Sequence, residues 1–372
     1  MKYYIIAGEA SGDLHGSNLI KALYQEDPNA TIRCWGGDLM QEAGGDLVVH
    51  YKDRAFMGFI EVLFNLRKIT GFIKKCKNDI DAFKPDALIF IDNSGFNLRI
   101  AKWAKPMGYT THYYISPQVW ASRAGRVKDI KASVDYMYTI LPFVKDFYAQ
   151  YKYPVQFVGH PLLDAINNRT PINPKEFRET YSLSDKPIIA LLPGSRKQEI
   201  NAMLDIMLSV APAFPDYQFV IGGAPSQDPN FYASFTKDNA QVHFISNKTY
   251  DLLSVSHAAL VTSGTATLET ALFKVPQVVC YRANWISYAI AKRIIKLDYI
   301  SLVNLIMDKE VVTELIQGKL NNANLKKELN RILDPTHRET LFSHYYELEQ
   351  RLGGQGASLK TAHAIVDSLG DK

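Results

Sequence analysis

Short apolar runs alternate with helical patterns along most of this chain of 372 residues, and this alternation constrains its fold more than any other feature. The runs at residues 3–7 and 87–91, for example, are each followed by a segment whose apolar residues recur at helical spacing. Strands that alternate with helices in this way form parallel, doubly wound sheets. The sequence therefore predicts an α/β fold.

The alternation is interrupted between residues 159 and 187, a stretch that holds four prolines and is typical of a linker. Strand-like runs resume at 188–192, and only helices are expected from Glu310 onward. We therefore predict two Rossmann-like domains and a C-terminal helix, over residues 1–165, 166–350 and 351–372. The tail could pack on the first domain of its own chain or exchange with a partner in a homodimer, and its residues do not decide between the two.

Composition and charge exclude several classes of protein. Hydrophobic residues make up 47% of the chain, which is too many for an intrinsically disordered protein. The three cysteines lie far apart and form no CxxC pair, as expected for a protein of a reducing compartment. No apolar run reaches about 18 residues, so no transmembrane helix is expected. The net charge of +4 is too small to indicate a nucleic-acid-binding surface.

Two loops of the first half carry acidic residues directly after predicted strands. Residues 8–13 are glycine-rich and open a helix, but their spacing is not that of a dinucleotide-binding GxGxxG motif. This loop, with Glu9 at the strand end, either binds an anion or a sugar hydroxyl through its N–H groups or forms a tight turn capped by Ser11 or Asp13. Asp92 ends an apolar strand, where burial would raise the pKa of its carboxyl toward that of a useful general base. The alternative is that Asp92 or Ser94 caps the next helix.

Two loops of the second half also leave a strand and enter a helix, and both suit a nucleotide diphosphate. Glycine in each loop lets the backbone approach a ligand closely, the helix N-termini favour negative charge, and an arginine suits a phosphate. A glutamate one helical turn further on could accept both hydroxyls of a ribose. The alternative is an ordinary helix start with a solvent-facing glutamate. The residues concerned are Gly194, Ser195, Arg196, Ser263, Gly264, Thr265 and Glu269.

Aromatic and apolar residues stand out in two further places. Trp120 follows a strand in the segment 116–120, where the indole either shapes a pocket or packs. The segment 55–68 is too apolar for a simple surface helix and resembles an amphipathic interfacial segment, although a helix packed on both faces would look similar. Its apolar residues include Phe56, Met57, Phe59 and Leu63, the basic residues Arg67 and Lys68 follow them, and a second basic cluster lies at 292–296.

Several familiar sites are absent from the sequence. It has neither a GxxxxGK[ST] phosphate-binding loop nor a zinc-binding HExxH pattern. Asp79 and Asp81 match the DxD pattern of some metal-dependent glycosyltransferases, but they fall near a predicted helix end and are interpreted as a solvated terminus. No metal and no cofactor are therefore predicted.

Taken together, these segments resemble the lipid-A-disaccharide synthases, inverting glycosyltransferases of the GT-B type. The resemblance runs from Tyr3 to about Asn304 and more loosely to the end, and it depends on the order and spacing of several motifs. These are AGEASGD at 7–13, MGFIEV at 57–62, SPQVW at 116–120, LLPGSR at 191–196, SGT at 263–265 and YISLVNL at 299–305.

The resemblance implies a fold and a reaction. Two doubly wound Rossmann-like domains would face each other across a cleft, followed by a helical tail. UDP-2,3-diacylglucosamine would donate its sugar to 2,3-diacylglucosamine 1-phosphate, giving a β-1,6-linked disaccharide 1-phosphate and UDP without a metal. The enzyme would be cytoplasmic and would associate peripherally with the inner face of the cytoplasmic membrane and its lipids, and no nucleic acid would be a partner.

The resemblance also implies roles for particular residues. Asp92 would be the catalytic base, with Glu9 and Ser11 contacting the acceptor or orienting that base, and Asn304 would approach the nucleotide. The family loop often reads IDxPDFN, whereas Ser94 and Gly95 stand here for its proline and second aspartate. Asp92 is consequently the sole carboxylate of this loop. The apolar residues of 55–66 and Trp120 would serve the acceptor, its acyl chains or the membrane surface.

Two other functions fit part of the same residues. Another GT-B enzyme that acts on UDP-N-acetylglucosamine, such as an epimerase or a peptidoglycan-type transferase, would share the loops of the second half but would not need the apolar segment. A non-catalytic nucleotide-sugar sensor would keep Arg196, Thr265 and Glu269 and would tolerate the loss of Asp92.

Overall fold

The computed structural model describes residues 1–54, 66–224, 227–236, 241–284, 288 and 297–370. These residues form two compact units. Unit 1 comprises Met1–Asn168 together with the segment that begins at Leu352, and unit 2 comprises Arg169–Arg351. The apolar residues Phe56, Met57, Phe59 and Leu63 and the basic cluster at 292–296 lie outside the described residues.

Unit 1 is built on a parallel sheet of seven strands in the order β3-β2-β1-β4-β5-β6-β7. The strand order reverses between β1 and β4, and the carboxyl ends of such a pair are where open α/β sheets bind ligands. The loops that contain Glu9 and Asp92 follow these two strands. The strands are β1 (Lys2–Ile6), β2 (Thr31–Gly36), β3 (Asp46–His50), β4 (Ala87–Ile91), β5 (Thr110–Tyr114), β6 (Tyr136–Thr139) and β7 (Gln156–Phe157).

Unit 2 is built on a second parallel sheet, of six strands in the order β10-β9-β8-β11-β12-β13. Its order reverses between β8 and β11, the two strands that precede the loops of Arg196 and Thr265. The strands are β8 (Ile188–Leu192), β9 (Gln218–Gly223), β10 (Val242–Ser246), β11 (Ser256–Thr262), β12 (Gln277–Tyr281) and β13 (Glu314–Ile316).

Helices connect the strands, as the alternation predicts. In unit 1 they are α1 (Ala10–Glu26), α2 (Asp38–Glu42), α3 (Leu66–Phe83), α4 (Ser94–Ala104), α5 (Val127–Ser133), α6 (Pro142–Ala149) and α7 (Pro161–Asn167). In unit 2 they are α8 (Pro174–Thr180), α9 (Lys197–Leu208), α10 (Pro229–Thr236), α11 (Thr249–Ser254), α12 (Thr265–Leu272), α13 (Leu302–Met307), α14 (Asn322–Leu333) and α15 (Pro335–Arg351). The last helix, α16 (Ala357–Gly370), belongs to unit 1.

The prediction of helices alone after Glu310 is wrong, because β13 extends the second sheet beside β12. This strand has three residues, and only Leu315 among them is fully buried. A strand so short at the edge of a sheet carries no alternation long enough to recognise in the sequence. Its first residue, Glu314, accepts hydrogen bonds from Asn304 and from the backbone just before the helix that contains Asn304.

The C-terminal helix is anchored to unit 1 through backbone groups. The Asp164 carboxylate on α7 accepts hydrogen bonds from the N–H of Gly356 (2.6 Å) and the N–H of Ser358 (3.1 Å), which satisfies free donors at the start of α16. The apolar face of α16, with Ala362 and Ile365, joins the core formed by β1, β4 and α1. The C-terminal helix thus completes the hydrophobic core of unit 1, whose first segment ends at Asn168.

Asp79 is not the solvated residue that its position near a helix end suggests. It lies on α3, accepts a hydrogen bond from the Tyr4 hydroxyl and pairs with Arg33 at 3.0 Å. Trp35 donates to the same Tyr4 hydroxyl at 2.7 Å, so this carboxylate belongs to a structural network against the sheet. Within the described ranges, no helix is long and apolar enough to cross a membrane.

Candidate active site

The loop after β4 places Asp92 in an uncommon backbone conformation. Asp92 and the following Asn93 both have left-handed backbones, with φ of +45° and +39°. Each such residue costs of the order of 1–3 kcal/mol unless its surroundings hold it, and such residues cluster at functional sites. The turn directs the chain from the carboxyl end of β4 into α4 within two residues.

Two buried side chains hold this turn. The amide nitrogen of Asn97, in the first turns of α4, lies 2.9 Å from the carbonyl oxygen of Asp92, 3.1 Å from that of Ile91 and 3.3 Å from that of Ile6. The Tyr113 hydroxyl on β5 donates a short hydrogen bond to the same Asp92 carbonyl. The backbone of Asp92 is therefore fixed to β1, β5 and α4 together.

Gly8 lets the loop after β1 approach the loop after β4. A Cβ atom at this position would lie 1.8 Å from Nδ2 of Asn93 and 2.5 Å from its Cγ, so any larger residue would collide with that side chain. The glycine is needed here for space rather than for a left-handed backbone. Its absent side chain brings the Glu9 loop against the Asp92 turn.

The electrostatics of Asp92 favour a base. Desolvation raises the pKa of its carboxyl above the usual value, the negative charge of Glu9 raises it further, and a hydrogen bond from the Asn93 backbone opposes both. Asp92 as a residue remains exposed, so the carboxyl is partly enclosed yet accessible. A carboxylate with a raised pKa and an open approach is suited to accept a proton.

The cap expected at the start of α1 is not made by either candidate side chain. Glu9 occupies the N-cap position, and no side chain caps this helix. Ser11 is exposed, whereas Asp13 is buried and accepts hydrogen bonds from the N–H groups of Gly37 (2.7 Å) and Met40 (3.1 Å) at the start of α2. Asp13 thus serves a different helix, and Glu9 and Ser11 remain exposed in the segment that follows β1.

Trp120 lies beyond the neighbouring strand, β5, in a short helical turn. Its ring packs edge-on against Phe143 with the ring centroids 4.8 Å apart, and the residue is half-buried. Its indole N–H is buried without a hydrogen-bond partner among the described residues. The structure therefore fixes the ring at the same edge of the sheet as Asp92 and Glu9.

In unit 2, Gly194 adopts a left-handed backbone with φ of +113°, which forms the turn between β8 and α9. A Cβ here would lie 2.8 Å from Oε2 of Glu199, which reaches back to the N–H groups of Ser195 and Arg196 at 3.4 Å. The Arg196 guanidinium contacts Glu199 at 3.3 Å yet remains 80% exposed. An exposed salt bridge of this kind is weak, so Arg196 can exchange it for an anionic ligand.

The second loop of unit 2 is held in a different way. Gly264 has φ of +154° and open space around its missing side chain, and α12 begins at Thr265. The Ser263 hydroxyl donates to the carbonyl oxygen of Ile300 at 2.9 Å, which ties this loop to the segment before α13. The N–H groups at the start of α12 are therefore presented on an anchored loop.

Glu269 on α12 is not the solvent-facing glutamate of the alternative interpretation. It is half-buried and accepts a hydrogen bond from the Tyr250 hydroxyl at 2.9 Å. Burial raises the pKa of the Glu269 carboxyl, and the Tyr250 hydrogen bond opposes that rise. Tyr250, whose ring packs 5.3 Å from that of Phe273, therefore orients one oxygen of the Glu269 carboxylate.

Asn304, which the resemblance places near the nucleotide, is buried. Its amide oxygen accepts from the N–H groups of Val311 and Val312, and its amide nitrogen donates to the carbonyl of Val312 and to Glu314. Glu314 in turn accepts from the N–H groups of Ile300 and Ser301. Asn304 and Glu314 therefore order the segment whose Ile300 carbonyl accepts the Ser263 hydrogen bond.

Comparison with known proteins decides the family. A family model described as lipid-A-disaccharide synthetase matches residues 3–366. Lipid-A-disaccharide synthases of Syntrophus aciditrophicus and Geobacter metallireducens are 39% and 37% identical to this chain. The first alignment covers 96% of this chain and 95% of the relative, and the second covers 99% and 97%.

This chain belongs to the lipid-A-disaccharide synthase family.

Membership in this family confirms the predicted resemblance and makes the chain a glycosyltransferase of lipid A biosynthesis. Solved structures with the same fold include the UDP-GlcNAc 2-epimerase of Neisseria meningitidis and the glycotransferase of kitacinnamycin. The epimerase has a TM-score of 0.67 at 14% identity and covers 100% of both chains. The glycotransferase has a TM-score of 0.67 at 13% identity and covers 99% of both. These similarities confirm the GT-B fold class.

The residues that sequence reasoning missed are those that hold the site rather than line it. Asn97 is the asparagine of the IDxPDFN motif, and this match is the one signal that could have identified it. Tyr113 and Tyr250 carry no signal in the sequence, because each lies on an element that only the fold brings beside its partner. Glu199 contacts its sequence neighbours Ser195 and Arg196 at the start of its own helix. Among the described residues, no group of three or more His, Cys, Asp or Glu side chains is arranged to hold a metal ion.

The Tyr250 contact leads to a test in this synthase. We expect Tyr250→Phe to weaken UDP binding about tenfold, because a hydrogen bond to a charged group contributes roughly 1.5–3 kcal/mol. Binding of 2′,3′-dideoxy-UDP should not change, since it lacks the hydroxyls that Glu269 is expected to accept. Calorimetry with both nucleotides measures this. Tyr217→Phe is the matched control, because Tyr217 directly precedes β9, at the amino ends of the strands. An equal loss of affinity for both nucleotides in Tyr250→Phe would contradict the assignment.

Proposed function

We propose that this synthase transfers the sugar of UDP-2,3-diacylglucosamine to the 6-hydroxyl of 2,3-diacylglucosamine 1-phosphate, with Asp92 as the base. The accessible Asp92 carboxyl, with its raised pKa at the β1/β4 strand reversal, is the observation that carries this assignment. Asp92 takes the hydroxyl proton while the oxygen attacks the anomeric carbon. The bond from that carbon to the UDP oxygen breaks, and the configuration inverts. The products are the β-1,6 disaccharide 1-phosphate and UDP.

Unit 2 would bind the nucleotide and stabilise the leaving group. Gly194 and Gly264 open the two loops, and the N–H groups near Ser195, Ser263 and Thr265 would receive the diphosphate. Arg196, which is 80% exposed, would neutralise the charge that develops on UDP. Loss of one such donor typically lowers the rate about 100- to 1000-fold. This arrangement needs no metal, and Glu269 would accept the ribose hydroxyls.

Glu9 and Ser11 would act on the acceptor side. Both are exposed at the loop that Gly8 brings against the Asp92 turn. The charge of Glu9 contributes to the raised pKa of Asp92, so Glu9 would tune the base. Ser11 would donate or accept a hydrogen bond with a sugar hydroxyl. Trp120, fixed against Phe143, would bound the acceptor site.

We also propose that the enzyme works in the cytoplasm at the inner face of the membrane, where its acylated substrates reside. Phe56, Met57, Phe59 and Leu63 would insert into the interface or hold an acyl chain. Arg67 and Lys68, exposed at the start of α3, would attract anionic headgroups. An apolar contact and a basic patch together give stable peripheral binding.

This membrane assignment is tested with Phe56→Ser combined with Phe59→Ser. Co-sedimentation with vesicles containing anionic lipid should fall several-fold, and turnover of acylated substrates should fall with it. Removing apolar area weakens interfacial binding, whereas UDP binding should be retained. Unchanged vesicle binding together with unchanged activity would overturn the assignment.

The proposed reaction is tested by UDP release from acylated UDP-glucosamine and acylated glucosamine 1-phosphate in the presence of EDTA. We expect robust turnover by the unaltered enzyme and a loss of about 100- to 10,000-fold in Asp92→Asn, because a positioned base contributes this much. Asparagine tolerates the left-handed backbone of this position, so UDP binding should persist. The exposed Asp81→Asn is the matched control.

Three other outcomes would each change the proposal. Full activity of Asp92→Asn would transfer the role of base to Glu9. Turnover that EDTA abolishes would contradict metal independence. Tight UDP binding without any turnover, or turnover of a water-soluble donor alone, would favour a sensor or another UDP-N-acetylglucosamine enzyme.

The pH dependence of the rate gives an independent test. Asp92 must be deprotonated to act, so kcat/KM should fall as the pH drops through its raised pKa. Glu9→Gln removes a negative charge that raises the pKa of Asp92, so the acidic limb of the profile should move to lower pH. Glu42→Gln, an exposed change on α2, should leave the limb in place. An acidic limb that moves to higher pH in Glu9→Gln would contradict this interaction between Glu9 and Asp92.

A further inference from the structure

The acceptor in the proposed reaction carries a phosphate monoester, which raises a problem of charge. The rim of unit 1 presents the carboxylates of Asp92 and Glu9, and both repel such an anion. Binding therefore requires a cation on unit 1 that is close to these groups and is not already neutralised. This requirement rests on the proposed function and points to the loop after β5.

That loop emerges beside Asp92 because β5 pairs with β4 in parallel, with Tyr114 opposite Ile91. It contains Arg126 at the end of the short helical turn Ala124–Arg126, and Arg123 directly before that turn. The N–H of Arg123 donates to the carbonyl of Val119 at 2.9 Å, and the N–H of Arg126 donates to the carbonyl of Arg123 at 2.9 Å. The two arginines therefore stand on an ordered backbone.

Arg126 is linked to the Asp92 turn through Tyr113. The Tyr113 hydroxyl, which donates to the Asp92 carbonyl, has a pKa raised by burial and by the charge of Asp92, and the positive charge of Arg126 lowers it. The charges of Asp92 and Arg126 thus both act on the Tyr113 hydroxyl. Arg126 is half-buried and Arg123 is exposed, so both arginines are accessible to a ligand from solvent.

Neither guanidinium has a carboxylate or a side-chain hydrogen-bond partner within the described part of the chain. Three lysines of the same unit are paired with carboxylates, Lys52 with Asp38, Lys102 with Asp129 and Lys105 with Asp135. A partly enclosed arginine without a carboxylate is well suited to a phosphate, whose oxygens match its planar donors.

We propose that Arg126, with Arg123 beside it, binds the anomeric phosphate of the acceptor. The two guanidiniums would donate hydrogen bonds to the phosphate oxygens and offset the charges of Asp92 and Glu9. They would make the enzyme select a sugar 1-phosphate over the same diacylglucosamine with a free anomeric hydroxyl. They are binding and specificity residues, and neither takes part in proton transfer.

The test compares two acceptors, diacylglucosamine 1-phosphate and the same compound without its phosphate. For the unaltered enzyme, kcat/KM should be about 10- to 100-fold higher with the phosphorylated acceptor, as expected for hydrogen bonds between charged groups. Arg126→Ala should lose most of that difference through a raised KM for the phosphorylated acceptor, and Arg123→Ala should lose part of it. Turnover of the dephosphorylated acceptor should stay within about threefold of the unaltered enzyme.

Lys128→Ala is the matched control, because Lys128 is exposed on α5 two residues beyond Arg126 and its loss removes the same charge. Lys128→Ala should keep the preference for the phosphorylated acceptor. This result would distinguish a direct contact with the phosphate from a general attraction of negative charge. UDP affinity, measured by calorimetry, should be unchanged in every variant.

The outcomes distinguish this inference from the proposed reaction. If the unaltered enzyme turns over neither acceptor, the proposed reaction fails. If it turns over and the double variant Arg123→Ala with Arg126→Ala keeps the full preference for the phosphorylated acceptor, the phosphate assignment is wrong. An equal loss with both acceptors would also overturn it, because it would show a structural role for these arginines.

Discussion

The amide of Asn97 holds the turn on which the rest of unit 1's site depends. Its nitrogen lies within hydrogen-bond distance of carbonyls at the ends of β1 and β4 and of Asp92 itself. This interaction stabilises two successive left-handed residues, a conformation that a free loop would leave. Without it the Asp92 carboxyl would lose its fixed position, and Asn93 would no longer be held against Gly8. Together with the Tyr113 hydroxyl, this buried amide fixes the backbone position of Asp92.

The two units meet similar demands with different chemistry. In each, the strand order reverses at one point, and the loops that follow the two strands there carry the polar groups. Unit 1 uses this position to raise the pKa of an accessible carboxylate. Unit 2 uses it to present helix N-termini and an exposed arginine, which suits an anion. The division matches a transfer reaction in which a base and a leaving group need opposite electrostatic surroundings.

The supporting residues show how far prediction from sequence can reach. Asp92 and Glu269 could be proposed because a carboxylate after a strand, or one turn into a helix, has a small set of uses. Asp13 could not be assigned correctly, because its partners are N–H groups of α2, about 25 residues further along the chain. Asn304 likewise matches a family motif, yet it is buried and its amide is hydrogen-bonded to the backbone of Val311 and Val312 and to Glu314.

By itself the sequence determined the parallel α/β architecture of both units and the loops that carry the polar groups, because strand and helix periodicity are local properties of the chain. It also specified the family, through the order of its motifs. Only the tertiary structure decided which side chains hold those loops. Tyr113, Tyr250 and Asp164 are distant in sequence from the groups that they bind, and Glu199 acts through a turn that only the folded loop creates. Burial, hydrogen-bond partners and pKa shifts follow from such contacts, so they arise once the chain has folded.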